Sequence, residues 1–456
     1  MKKKFTFLLV FFITISIGFS GAYNAAIKKN QAIEDNNITR KMGKEFFIRN
    51  REKLAQRLEN NSMVVLFSNH SMTDRKYYPN SNLYYFTGID EGYSIFVMKK
   101  IDNKLEEILF IKSPKSTKSR WTSDSLNEKE AKEISGIEDI RGTTSFSTDV
   151  NNIKSIYLDV NIWDKDRFIE NLRLKDDKPY ILKEAKEEFA LDILDNHSNI
   201  NIKSIKDKVS ELRAIKTGEE IEKIKKAINI TKEGIKELMK NAKPNMMEYE
   251  LQSYFDFTAA RMGSTEHSFL PIAASGKNAT ILHYDANNSK IKDGDLILFD
   301  VGADYHHYAS DISRTFPVNG KFTERQKQIY NIVLKAQKET IKAVKPGITI
   351  LDLDDITKKI LFEECKKIGL LETKEELGEY YFHSVSHPMG LDVHDLGMFS
   401  ELKPGMVITI EPGLYIEEEG IGIRIEDDIL ITEDGYENLS KNIIKEIDDI
   451  EEFMNK

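Results

Sequence analysis

Leu296-Ile-Leu-Phe-Asp300-Val-Gly302 and, after a polar stretch, Ser310-Asp311-Ile-Ser-Arg-Thr-Phe316 each set an aspartate into a β-type run. Gly302 and Asp304-Tyr-His-His307 between them suit a hairpin connection, which brings the two acids onto neighbouring strands. The design recurs further on. Glu411 ends Val407-Ile-Thr-Ile410-Glu411, Pro412-Gly413 reads as a turn, and Glu426 sits in the next strand, Ile421-Gly-Ile-Arg-Ile-Glu426. Between the two hairpins lies His383-Ser-Val-Ser-His387-Pro-Met-Gly-Leu-Asp-Val-His394-Asp395. Asp is depleted from strands, and a buried, unpaired carboxylate costs several kcal/mol. Four inward acids need a positive partner, and only a metal serves all four. Asp300, Asp311, His387, Glu411 and Glu426 form a hard, oxygen-rich set suited to manganese, with zinc, cobalt or iron as competitors. Bridging carboxylates can hold two divalent ions about 3.5–4 Å apart, which activates a water between them. Any one of the five alone reads as an ordinary loop acid or structural histidine, so the expectation rests on the set.

Around this centre the chain reads as α+β, an antiparallel sheet covered by helices, over residues 205–456. Ile221, Ile224, Ala227, Ile228, Ile235 and Leu238 fall on one face of a long helix. Thr323-Glu-Arg-Gln326 is a capping box opening a helix that ends before Pro346, and a further helix runs from about Leu353 to Lys367 and stops at Gly369. Charged, helix-like sequence from Lys206 to Glu220 marks the junction with a first globular segment, 41–204. There β-type runs (Met63–Phe67, Ser94–Met98, Ile108–Ile111, Ile156–Val160) alternate with helical stretches at Glu45–Leu58 and Glu128–Ser135, so this segment reads as α/β.

At 456 residues the chain suits two or three domains of roughly 150 residues. Its 40% hydrophobic and 31% charged content excludes disorder and a multi-span membrane protein. Acids outnumber bases 75 to 66, which argues against a nucleic-acid partner. Cys365 is the one cysteine, so a metal must be held by His, Asp and Glu. Lys2-Lys-Lys4, the apolar run from Phe5 to Ile17, and the small residues Ser20 and Ala22 read as a signal peptide or uncleaved anchor over 1–22. Phe5 to Phe19 is 15 residues, short of the ~20 that span a bilayer. Residues 23–40 read as a polar tether. The expected location is periplasmic, extracellular or anchored at the outer face of the cytoplasmic membrane, and cytoplasmic if the leader does not function. Membrane contact is expected only through an uncleaved leader.

The second half resembles the pita-bread metallopeptidases, the family of methionine aminopeptidase, Xaa-Pro aminopeptidase and prolidase. The matching strings are Asn278-Ala-Thr-Ile-Leu-His283-Tyr-Asp-Ala-Asn287, Leu298-Phe-Asp-Val-Gly302, Ser310–Phe316, Ser386-His-Pro-Met-Gly-Leu-Asp-Val-His-Asp395, Ile410-Glu-Pro-Gly-Leu-Tyr415 and Gly422-Ile-Arg-Ile-Glu-Asp-Asp428. The first half is similar to the amino-terminal domain of Xaa-Pro aminopeptidase and prolidase, at Arg75 and Pro79-Asn-Ser-Asn-Leu-Tyr-Tyr-Phe-Thr-Gly88. Tyr84–Gly88 and the Ser386-His387 pair look more like the Xaa-Pro aminopeptidase branch. Ser384 departs from the family's usual glycine.

The resemblance implies a dinuclear exopeptidase that cuts between an amino-terminal residue and a following proline by a hydroxide shared between two metals. Asp300 would bind one ion, His387 and Glu411 the other, and Asp311 and Glu426 would bridge. Glu411 would also take the proton, His283 and His394 would hold charge on the intermediate, and His383 would close the pocket. Arg424 would steady the carboxylates, and Tyr415 would form a wall for proline. A homo-oligomer, dimer or tetramer, is implied as well, with Tyr84, Tyr85 and Phe86 an aromatic cluster suited to an interface or to a core strand. His306 and His307 read as solvent-exposed turn residues. The rival readings are a prolidase restricted to dipeptides and a non-catalytic pita-bread module that binds peptides.

Overall fold

The computed structural model describes residues 42–68, 80–112, 125–147, 149–162, 165–177, 184–397 and 401–456, so the leader, the tether, Arg75 and Pro79 lie outside the described residues. The first half is a mixed six-stranded sheet of β1 (Ser62–Phe67), β2 (Ile95–Ile101), β3 (Lys104–Ile111), β4 (Asp139–Gly142), β5 (Ser155–Leu158) and β6 (Asn201–Ser204), in the order β4-β3-β2-β1-β5-β6. The β1–β2 and β2–β3 pairs are antiparallel and the others parallel. Alternate side chains serve two cores, because successive residues of a strand point to opposite faces. Val64, Leu66, Phe96, Met98 and Leu109 join one apolar cluster, while Met63, Val65, Val97, Ile108 and Phe110 join another. Two-sided burial explains why these strands read as continuous apolar runs.

The first cluster holds α1 (Lys44–Arg57) and α2 (Ser81–Thr87) and continues into the second half. Here one expectation is corrected. Tyr84, Tyr85 and Phe86 lie neither at a surface nor on a strand but inside α2, at most 4% exposed. The Asn80 side chain accepts a hydrogen bond from the Leu83 amide, and Gly88 ends the helix in the left-handed region at φ +71°. Tyr85 packs edge-on to Phe46 and Tyr84 to Phe47, and the Tyr85 hydroxyl donates to the Leu212 carbonyl. Those rings are therefore spent on joining the two halves.

The junction is also less exposed than its charge suggests. Arg213 in α3 (Lys206–Ala214), Lys216 in the turn beyond it and Glu220 in the first turn of the next helix are all buried. Then come α4 (Gly218–Asn241), α5 (Glu248–Arg261), α6 (Glu324–Ala343) and α7 (Ile350–Lys367). The Thr323 capping box opens α6 as read, whereas α7 starts three residues earlier than expected because Thr349 caps it with Asp352. These helices lie against three small antiparallel sheets: β7 (Ile272–Ser275) with β8 (Leu296–Val301) and β9 (Ile312–Pro317), β10 (Val407–Ile410) with β13 (Asp427–Ile431) and β14 (Tyr436–Asn438), and β11 (Gly413–Ile416) with β12 (Ile421–Arg424). No helix among the described residues is long and apolar enough to cross a membrane.

The first hairpin forms as expected, with Asp300 opposite Ser313 in β8–β9. A β-carbon at Gly302 would lie 1.9 Å from the Ser310 carbonyl oxygen, so glycine is needed where the strands close. The second pair of acids is also joined by a hairpin, but its turn falls at Glu417–Gly420 rather than at Pro412-Gly413, because Gly413 lies inside β11. β10, which ends before Glu411, pairs with β13, and Ile410 faces Asp427. The β11–β12 pair continues the same antiparallel register, with Gly413 opposite Arg424, and so brings Glu411 beside Glu426.

Candidate metal centre

Asp311 leads into β9, Glu426 links β12 to β13, and His387 is held beside β10 by two hydrogen bonds: the Thr409 amide to the His387 carbonyl, and the His387 amide to the Thr409 hydroxyl. One oxygen each of Asp311 and Glu426 and a ring nitrogen of His387 lie within 4.8 Å of one another. Glu411 joins them, with its Oε1 3.4 Å from His387 Nε2, and Asp311 Oδ2 lies 3.3 Å from the same nitrogen. His387 Nδ1 donates to its neighbouring Pro388 carbonyl at 3.1 Å, which leaves Nε2 as a lone pair facing two carboxyls. That orientation suits a cation between them. Asp300 completes the set: its Oδ2 accepts from Arg424 at 2.7 Å, while its Oδ1 is buried with no hydrogen-bond partner.

The electrostatics point the same way. Burial, with Glu426 and Asp300 adding, pushes Asp311 well above the usual carboxylate range. Burial and the Glu411 and Asp300 charges do the same to Glu426. Glu411 is pushed up to about 8 by burial, against the pull of Arg424. Burial and the neighbouring His394 lower His387 to about 4, so without a cation the protons sit on carboxyls rather than on this ring. Asp428, which accepts from the Asp311 amide, is raised by burial too. An excess of buried acids over bases, an unpartnered oxygen and an oriented imidazole fit divalent ions, which relieve all three at once.

These groups line a cavity of about 690 Å³. His394 is exposed at its wall, its ring 4.3 Å from that of His387, and His283 is exposed on the rim. His383 Nδ1 donates to the Ser384 carbonyl at 2.8 Å, so its Nε2 accepts from the Tyr415 hydroxyl at 2.9 Å. That hydroxyl in turn accepts from Arg424 at 3.0 Å. Arg424 is buried and also donates to Ser313, tying β9, β11 and β12 together. Tyr415 is thus occupied behind His383 and does not line the cavity as a proline wall. The apolar side is built instead by Phe269, Leu270, Ile272 and Leu282. Ser384 is outside the left-handed region, so glycine's backbone freedom is not required there.

His306 and His307 depart from the expected exposure. They occupy the two left-handed positions of the hairpin turn, at φ +52° and +70°, and both are partly buried. The His307 ring lies tilted 4.2 Å from that of Tyr84, and its Nε2 lies 3.5 Å from Asp90. One buried ion cluster has no counterpart in the sequence reading. Arg213 binds Asn82, Asp392 and Asp395, and Lys216 lies 3.2 Å from Asp395. Together they clamp both flanks of His394. A β-carbon on Gly390 would lie 2.1 Å from Asp395 Oδ2, so the loop closes only around glycine. Two bases buried in a charged helix were the available signal, but exposure is the ordinary fate of such a segment.

Two family profiles match the chain: "Metallopeptidase family M24" over residues 222–433 and "Aminopeptidase P, N-terminal domain" over 47–160. The Xaa-Pro aminopeptidase of Escherichia coli (strain K12) is 33% identical over 440 residues, covering 90% of this chain and 97% of that protein. A solved structure described as that of a putative aminopeptidase P from Bacillus anthracis superposes with a TM-score of 0.83 at 46% identity, covering 91% of this chain and 99% of that one. The aminopeptidase P of E. coli with the inhibitor Pro-Leu superposes with a TM-score of 0.78 at 32% identity, over the same shares of the two chains.

Proposed function

The chain belongs to metallopeptidase family M24, in its Xaa-Pro aminopeptidase branch, and from that premise we propose how its buried acids perform a metal-dependent aminopeptidase reaction at the bond before proline. The observation that carries the reading is the excess of buried carboxyls around one cavity. Asp300, Asp311, His387, Glu411 and Glu426 would hold two divalent ions through carboxylate oxygens and His387 Nε2. Manganese suits this oxygen-rich set best, with zinc, cobalt or iron as alternatives. Bound ions of this kind supply Lewis acidity and a water acidic enough to lose its proton near neutral pH.

Glu411, whose carboxylate faces both His387 and, at 3.9 Å, His383, would accept the proton of such a water. His394 and His283 donate N–H bonds to the scissile carbonyl oxygen as it gains charge, the kind of donor whose loss costs about 10²–10³ in rate. The Arg424–Tyr415–His383 relay fixes the His383 ring against the cavity, so the pocket closes without that ring having to reorganise. A prolyl nitrogen carries no N–H, and the side made by Phe269, Leu270, Ile272 and Leu282 offers its ring apolar contact.

Metal-stripped protein, reloaded with manganese or zinc and assayed on Ala-Pro and on a longer Ala-Pro peptide, tests the reading. The longer peptide should be cut at least as fast, and manganese should restore more activity than zinc. Turnover of the dipeptide alone would favour a prolidase, and activity that survives stripping would remove the metal from the account.

A further inference from the structure

We propose that Glu248 is a positioning residue for His283, a role that rests on the catalytic reading of His283 given above. Glu248 is the first residue of α5, is fully buried at 0% exposure, and is remote in sequence from every acid of the cavity. Its carboxylate accepts five hydrogen bonds. Oε1 takes the Ser275 amide at 2.8 Å, the Ser275 hydroxyl at 2.7 Å and the Asn278 side-chain amide at 3.1 Å. Oε2 takes the Tyr284 hydroxyl at 2.8 Å and the Ser289 amide at 2.9 Å. All five donors belong to the segment 275–289, on both sides of His283, and Tyr284 is joined to it directly.

A buried carboxylate is expensive unless its lone pairs are filled, and bonds to an ionised acceptor are roughly twice as strong as neutral ones. Filling one carboxylate from five points of one segment therefore fixes that segment's shape. The Glu248 amide adds a bond to the Ser289 carbonyl. Asn287 anchors the far end, accepting from the Ala273 amide and donating to the Pro271 carbonyl. The result is a pinned loop whose exposed tip carries His283 over the cavity rim. A donor on an exposed tip needs such support, because about 1 Å of misplacement can cost on the order of 10²-fold in rate.

The test is a double-mutant cycle on the metal-loaded protein, combining Glu248→Gln with His283→Ala and measuring kcat, KM, metal content and thermal unfolding. Glutamine turns two acceptor sites into donors that face donors. Glu248→Gln should lower kcat by about tenfold to 10²-fold with metal content unchanged. In the His283→Ala background the same substitution should change kcat less than about twofold. Tyr284→Phe, which leaves the carboxylate and four of its bonds, gives the same pattern at smaller size and serves if Glu248→Gln does not fold. Equal losses in both backgrounds, or lost metal, would overturn the positioning role. A fully active His283→Ala protein would instead overturn the catalytic reading of His283, and the route through it.

Discussion

Glu426 and Asp427 are consecutive and equally buried, at 1% and 0% exposure, yet burial pushes Glu426 well above the carboxylate range while Asp427 is held at about 2. For Asp427 burial opposes ionisation, but Arg314 and Lys445 outweigh it. Arg314 reaches Asp427 at 2.7 Å, Lys445 and Asn438 reach its other oxygen, and Arg314 also donates to the Glu426 carbonyl. On the other side of the strand, Glu426 meets Asp311, Glu411 and Asp300, with Arg424 as the cation nearby. Strand geometry turns neighbours to opposite faces, so one face holds a satisfied ion network and the other an acid cluster short of positive charge. One buried acid is neutralised by the fold itself, and the other lies among acids where burial and like charges raise it.

Glu426→Gln should have the largest effect. Activity should fall by at least about 10²–10³-fold, the scale of losing one group that acts on the transition state. Metal content should fall with it, while the metal-free protein keeps its unfolding temperature, since a repelling acid has gone. Near-normal turnover would erase the distinction between the two residues.

Asp427→Asn should act on stability instead. Removing one partner of a buried pair leaves Arg314 and Lys445 uncompensated, at a cost of about 3–5 kcal/mol in urea unfolding. A loss below about 1 kcal/mol, the worth of a surface pair, would mean that the network supports little.

The smallest effect concerns pH in metal-stripped protein. Acids raised by folding contribute stability that is complete below the unfolded value and lost as pH rises through the folded one. For Glu411 that window runs from 4.5 to about 8. Asp427 is lowered, so its contribution stays constant across the window and is lost only as pH falls toward about 2. Calorimetry should therefore show the stripped protein weakening from pH 5 to 8 and bound metal flattening the slope. A stripped protein of constant stability would show that the acid cluster is not strained.

Much of this was legible in one dimension. Apolar periodicity and the cap at Thr323 located helices, and acids placed where strands ordinarily exclude them marked the centre. The α/β and α+β halves followed from local pattern alone, because a side chain's period and a helix's caps depend on near neighbours. What stayed hidden depended on distant ones. Tyr84–Phe86 reads as an aromatic strand until α1 packs over it, although Asn80 and Gly88 were there as caps. Lys206–Glu220 reads only as a charged, helix-like junction until Asp392 and Asp395 arrive to bury Arg213 and Lys216. The hairpin between Glu411 and Glu426 formed, but its turn at Pro412-Gly413 was a near-neighbour guess, since Gly413 belongs to β11 and the chain reverses at Glu417–Gly420.

By itself, then, the sequence determined which residues carry charge that water would not willingly give up, and hence that this chain needs a cation. Only the tertiary structure decided which acids meet each other and which meet Arg314 and Lys445. Sidedness at Glu426 and Asp427 is set by strands far apart in the chain, and no local signal encodes a partner that distant.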